Sequence, residues 1–329
     1  MTLSNHTFRT TLCLLTSLLQ GTWTPHLTTL AKTTIGQAKS SVVASYDSKR
    51  KVVYAVNFGD DSLYVLDPAS GSSLHTPIKV GHWPTAISVN PNTGLVYTAN
   101  LSGGTVSVID GNDLNAPPKT IHIGQAPGLI AVQIANNTIY VVDHIQRVAR
   151  LIDGDTNTIL PQTFPIGRYP TALVVDQLRQ RAYVASGDDN QVTWIDSQGG
   201  GRLTVGANPR SLAIDADHLY VAPNDKDYVS SYDIRSAIPS LSMTFKVGLH
   251  PNALAVDQMT DQLWITSDFD ASVRLTNRQG QVSSPWNSFS ASLSGPVIDS
   301  IGQPLIMPQQ TWLLSTAGND LLIVTTSTP

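Results

Sequence analysis

One short string recurs along this chain and constrains its fold more than any other feature. VGHWP, IGQAP, IGRYP, VGANP and VGLHP place their glycines at Gly81, Gly124, Gly167, Gly206 and Gly248, at intervals of 43, 43, 39 and 42 residues. Weaker copies flank them: Ile35-Gly36-Gln37-Ala38 has Lys39 where proline is expected, and Ser294-Gly295-Pro296 keeps only the proline in register. Seven units result. A period near forty marks a repeat architecture, in which each unit buries its apolar faces against its neighbours.

Each unit carries an apolar strand that ends in a small or polar residue: VYAVN (53–57), VYTAN (96–100), IYVVD (139–143), AYVAS (182–186), LYVAP (219–223), LWITS (263–267) and TWLLS (311–315). After a polar turn comes another: SLYVLD (62–67), TVSVID (105–110), RVARLID (147–153), QVTWID (191–196), YVSSYD (228–233), SVRLTN (272–277) and DLLIVTT (320–326). Alternating β-branched and aromatic residues between Gly, Asn, Asp and Pro turns predict antiparallel strands. With the strand after each proline, such as TAISV (85–89), and the one before each glycine, such as KTIHIG (119–124), a unit supplies four strands. Four strands at this period, repeated radially, predict an all-β, seven-bladed β-propeller of four-stranded antiparallel blades.

VYTANLSGGTVSVID at 96–110 is the best copy of a motif in which a YVTN-like strand precedes a VSVID-like one. On these repeats residues 28–329 resemble the YVTN-type β-propellers, relatives of the WD40 and NHL propellers. The last unit departs most, with Trp312 in place of tyrosine. It also lacks an outermost strand, which would leave a sheet edge unpaired. Residues 28–36 match the outer strands of other units and are expected to complete the last blade, clasping the two ends of the chain together.

Every one of the 24 acidic residues is Asp, and the charge of −4 is spread over 20 basic residues without a basic run. Aspartate favours turns and glutamate favours helices, so the bias agrees with strands and tight turns. Nucleic-acid binding and a membrane span are not expected. Residues 1–25, with Arg9 ahead of Leu12-Cys13-Leu14-Leu15, read as a secretory signal peptide or a disordered leader. Residues 26–329 read as a single domain, monomeric and periplasmic or secreted. Cys13 is the sole cysteine, so cleavage would leave no thiol.

The repeat accounts for most aspartates. Asp47, Asn90, Asp176, Asp215, Asp257 and Asp299 follow the inner strand, and Asp67, Asp110, Asp153, Asp196 and Asp233 end the third strand. Both sets suit turn chemistry. Tyr54, Tyr97, Tyr140, Tyr183 and Tyr220 read as packing between blades. No GxSxG, HExxH, CxxC or phosphate-binding loop occurs, and without glutamate a general acid or base must be Asp or His.

Function in a repeat protein is sought where the units differ. The resemblance places the Gly-x-x-Pro turns at one face, around the mouth of a central channel. Their variable positions hold His82, Trp83, Arg168, Tyr169 and His250, and the positions just after the prolines are Thr85, Gly128, Thr171, Arg210 and Asn252. Arg168 and Arg210 suit a carboxylate or phosphate, with Trp83 and Tyr169 covering an apolar part. The expected function is therefore an exported binding or scaffold protein for a small anionic ligand or a partner protein. The alternative is a metal-assisted lyase or lactone hydrolase with His82, His144 or His250 as base. Its divalent cation would be held by Asp188, Asp225, Asp227, Asp268 and Asp270.

Overall fold

The computed structural model describes residues 34–36, 42–257 and most of 262–285 in full, together with the backbone of the strands His26–Thr34, Leu293–Pro296, Ile298–Asp299, Ile306–Met307, Gln310–Ser315 and Asp320–Ser327. Residues 1–25, and so the leader and Cys13, lie outside the described residues.

Each Gly-x-x-Pro string is a lead-in turn whose proline is the first residue of a strand: Pro84–Val89, Pro127–Gln133, Pro170–Asp176, Pro209–Ile214 and Pro251–Asp257. The start of a strand is one of the few sheet positions where a residue without an N–H is tolerated. In the second unit this inner strand is followed by Leu95–Asn100, Thr105–Asp110 and Lys119–His122, hydrogen-bonded in that order and antiparallel throughout. The units that begin at Pro127, Pro170 and Pro209 repeat the arrangement with four strands each. Three strands are described in the unit that begins at Pro251, with a bridge from Thr276 to Val282 where a fourth would start.

The first sheet contains Val42–Asp47, Val52–Asn57, Ser62–Leu66 and Ile78–Lys79, and Ile298–Asp299 runs parallel to its inner strand at Ser45 and Tyr46. In the terminal sheet the order is His26–Thr34, Asp320–Ser327, Gln310–Ser315, Leu293–Pro296. His26 lies opposite Ser327 and Thr34 opposite Asp320, so the first described strand is the outermost partner of the last. No helix among the described residues is long and apolar enough to cross a membrane.

Consecutive sheets pack face to face, and the strand tyrosines fill the seams as expected. Tyr54 packs with Ile87, Val89 and Val96 of the following unit, Tyr97 with Ile130 and Val132, and Tyr183 with Leu212 and Ile214. Tyr140 occupies the same place between the third and fourth units, and Tyr220 between the fifth and sixth. Burial in such a seam disfavours the phenolate, and the Tyr54 hydroxyl is pushed up to about 12, with the Asp47 carboxylate adding to the effect.

The turn aspartates also behave as the repeat implies. Asp47 Oδ1 accepts the backbone N–H groups of Lys49 and Arg50, each at 2.9 Å, and Asp176 accepts those of Leu178 and Arg179 at 3.0 and 2.9 Å. Asp215, Asp67 and Asp153 each do the same for the residues two and three places on.

Candidate functional site

The lead-in turns and the hairpins between the second and third strands of each unit share one end of the sheets, and every ligand-binding residue expected from the sequence lies there. Three features shape this face.

The first is backbone conformation. Trp83, Tyr169, Asn208 and His250, each the residue before the proline, adopt φ of 58°, 54°, 50° and 53°. A left-handed conformation is unfavourable for a bulky residue, so the surroundings must enforce it.

The lead-in turns are held by carboxylates and an amide on the hairpins, and at His250 by the Lys226 carbonyl, which accepts its N–H at 3.2 Å. Asp61 accepts the Trp83 N–H at 2.9 Å and pairs with His82 Nδ1 at 2.8 Å. Asp189 accepts the Arg168 N–H and its Nε–H, each at 2.7 Å. The Asn190 side-chain oxygen accepts the Asn208 N–H at 2.8 Å. In the third unit the buried Asp143 carboxylate takes the N–H groups of Gln125 and Ala126 at 2.6 and 3.2 Å, and also those of Ile145 and Gln146 in its own hairpin.

The third feature is a β-bulge in each strand that begins with the proline of a Gly-x-x-Pro turn; Val42–Asp47 of the first unit, which lacks that proline, pairs without one. Pro84 pairs with Asn100 and Ala86 with Ala99, so Thr85 is skipped in the ladder. Gly128, Thr171, Arg210 and Asn252 are skipped in the same way, as is Ser294 in the terminal sheet. A bulge frees one residue from pairing and re-aims its side chain. These are the positions just after the prolines that the sequence singled out.

The bulge residues differ in what they do. Thr85 and Thr171 donate their hydroxyls across to the next unit, to Gly128 O at 3.1 Å and Pro209 O at 2.6 Å. Asn252 Oδ1 accepts the Thr266 hydroxyl at 2.7 Å. Gly128 is filled from the side by His144: a Cβ at residue 128 would sit 2.5 Å from its Nε2. That nitrogen is buried and has no hydrogen-bond partner among the described residues, and burial holds the imidazole below the usual histidine range despite Asp143 beside it. Arg210 is exposed and, among the described residues, makes no hydrogen bond or ion pair.

Arg168 contrasts with Arg210. Its guanidinium is already engaged by Asp189, whose carboxyl is held below the ordinary carboxylate range first by the Arg168 N–H and then by the side chain. The two arginines expected to share an anion are therefore unequal.

The remaining expected residues fall into separate groups. Trp83 stacks on Phe58 at 4.9 Å and lies against His82, whereas His250 stacks on Phe269 at 5.5 Å. His82 and His250 thus have different partners in different units. Among the expected metal ligands, Asp188 is exposed, Asp225 accepts the Asn208 amide at 3.3 Å, and Asp227 pairs with Lys246 at 3.4 Å. Asp268 and Asp270 lie outside the described residues. Among the described residues no three His or Asp side chains are placed to hold a metal ion.

Sequence reasoning did not assign Asp61 and Asp189 to the lead-in turns, nor did it find Phe58, Phe269 or the His144–Gly128 contact. A glycine at position 128, where other units carry a side chain, is the one sequence signal that could have pointed to a ring seated there.

No family model and no curated protein sequence matches this chain. Solved structures do, at low identity. The chain is similar to a streptogramin B lyase at 12% identity, with a TM-score of 0.75 over 94% of this chain and all of that one. It is similar to the Cps50 (Swd1) β-propeller domain of Myceliophteria thermophila at 11% identity and a TM-score of 0.74, covering 92% of this chain and all of the domain. For U3-55K the values are 13% and 0.72, over 91% of this chain and 98% of that one. The chain has the β-propeller fold. At such identities the likeness carries the fold and no chemistry.

Proposed function

We propose that this chain is an exported binding protein, a closed seven-bladed propeller of the YVTN type, that holds a small anionic ligand at the mouth of its central channel. The pairing of His26–Thr34 with Asp320–Ser327, and of Ile298–Asp299 with Val42–Asp47, supports ring closure, because each joins a late strand to an early one. The apolar run behind Arg9 supports export.

Arg210 carries the ligand reading. It combines an unpaired guanidinium with a bulge that turns it out of the ladder, and a guanidinium offers a carboxylate or phosphate two parallel N–H donors. Asn252 is the bulge residue of the neighbouring unit. Exposed Trp83, Tyr169, Leu249 and Phe269 on the same face supply apolar cover and also favour a partner protein as the bearer of the anionic group.

The test is thermal unfolding with phosphate, acetate and citrate at constant ionic strength. Wild type and Arg168→Ala are expected to be stabilised alike, and Arg210→Ala not at all. Equal stabilisation of Arg210→Ala would overturn the reading.

The hydrolytic alternative has one observation in its favour, the buried His144 imidazole, held below the usual histidine range, whose Nε2 has no partner among the described residues. Turnover of a chromogenic lactone that disappears in His144→Gln would promote it over binding.

A further inference from the structure

We infer a second ligand site, for a compact carboxylate with an apolar ring or short chain, in a cleft between the outer parts of the third and fourth blades. It is independent of the Arg210 reading: Arg202 belongs to an outer strand and Arg210 to an inner one.

The cleft arises from unequal outer strands. Thr158–Pro165 in the third unit has eight residues, whereas Gly201–Thr204 in the fourth has four and covers its neighbour only from Gln191 to Trp194. A cavity of about 200 Å³ opens where the cover stops, lined by Phe164, Pro165 and Ile195 and by the run 199–201. That run must be glycine. Gly200 has φ +118°, where its Cβ would run into the Trp194 carbonyl oxygen, and a Cβ on Gly201 would enter the Trp194 indole. The result is a wall without side chains.

Two polar groups meet in this cleft. Thr193 and Arg202 are register partners across antiparallel strands, so their side chains project to the same side of the sheet. Thr193 is 5% exposed, and its Oγ1 is buried without a hydrogen-bond partner among the described residues. Buried hydroxyls are nearly always partnered, so this one has a hydrogen bond to offer a group that enters the cleft. Arg202 is exposed and, among the described residues, its side chain has no hydrogen bond or ion pair. No carboxylate lines the cavity.

A cation and a hydroxyl beside an apolar wall match a carboxylate on a small apolar body. The carboxylate would accept from the Arg202 guanidinium and the Thr193 O–H while its ring lies on Phe164 and Pro165. The volume equals about six or seven water molecules, close to a single-ring acid.

The test uses the full chain, titrated with sodium benzoate and, as a neutral isostere, benzamide, followed by ligand-observed NMR at constant ionic strength. Saturable benzoate binding is expected, with benzamide about tenfold weaker. Arg202→Gln, on the surface, should weaken benzoate about tenfold without changing the melting temperature. Thr193→Val should weaken benzoate and raise the melting temperature, because the orphaned hydroxyl is gone. Arg210→Gln should leave binding unchanged. Absence of saturable binding, indifference to Arg202→Gln, or loss in Arg210→Gln would each overturn the proposal, the last by placing the acid at the channel mouth.

Discussion

The two ends of each blade use the same carboxylate in opposite ways. At one end, Asp47, Asp176 and Asp215 hold backbone N–H groups two and three residues along, so each turn is closed by its own sequence. At the other end, Asp61, Asp143 and Asp189 reach lead-in turns some twenty residues away in the chain. The first arrangement builds a turn; the second fastens one segment to another. Left-handed residues occur at both ends, Lys51 and Gln180 in the local turns and Trp83, Tyr169, Asn208 and His250 in the lead-in turns, but the fastened end alone adds the bulges after the prolines, which re-aim side chains out of the ladder.

Asp143 stands in both classes, and changing it tests the contrast most strongly. Asp143→Ala leaves four N–H groups without their acceptor, one in a buried hydrogen bond and three in part-buried ones, and should cost about 2 kcal/mol or more in urea unfolding. A loss below about 1 kcal/mol would mean that water replaces the carboxylate and that the long-range fastening adds little.

A smaller effect separates the classes by pH. Asp233 serves a local turn, and its carboxyl is lowered to about 2, mainly by the Arg235 side chain; Asp189 serves a long-range one and is also lowered. A carboxyl lowered in the folded state stabilises above its unfolded value of about 3.9. That contribution fades as the pH falls through the folded value. Carboxyl NMR titrations should therefore place both midpoints below the ordinary range. An ordinary midpoint for Asp189 alone would show its fastening open in solution.

The smallest effect is expected at Arg168. The Asp189 pair is largely exposed, so Arg168→Ala should leave the urea-unfolding midpoint nearly unchanged, because the Arg168 backbone N–H still reaches Asp189. A clear fall in that midpoint would make the guanidinium, rather than the backbone, the principal fastener.

This contrast also explains what was legible beforehand. Strands such as Leu95–Asn100 and Thr138–Asp143 follow from alternation, and the Asp47 and Asp176 turns follow from chemistry confined to four residues. The positions after the prolines stood out because the repeat aligns them, and all of them became bulges. The left-handed φ of Trp83 and Tyr169 carried no sequence signal, because neither residue favours that region. The engagement of Arg168 was equally silent: Asp188 and Asp189 are adjacent in sequence, and only the fold decides which of them turns inward.

The bulges also bear on how such a protein diversifies. At Thr85, Gly128, Thr171, Arg210 and Asn252 the ladder resumes at the next residue, so the sheet register is independent of the side chain at the skipped place. Thr85, Thr171, Arg210 and Asn252 can then be varied together while the scaffold stays in step, which makes them a natural set for a combinatorial library aimed at new ligand specificities, whereas Gly128 is fixed by the His144 ring seated against it.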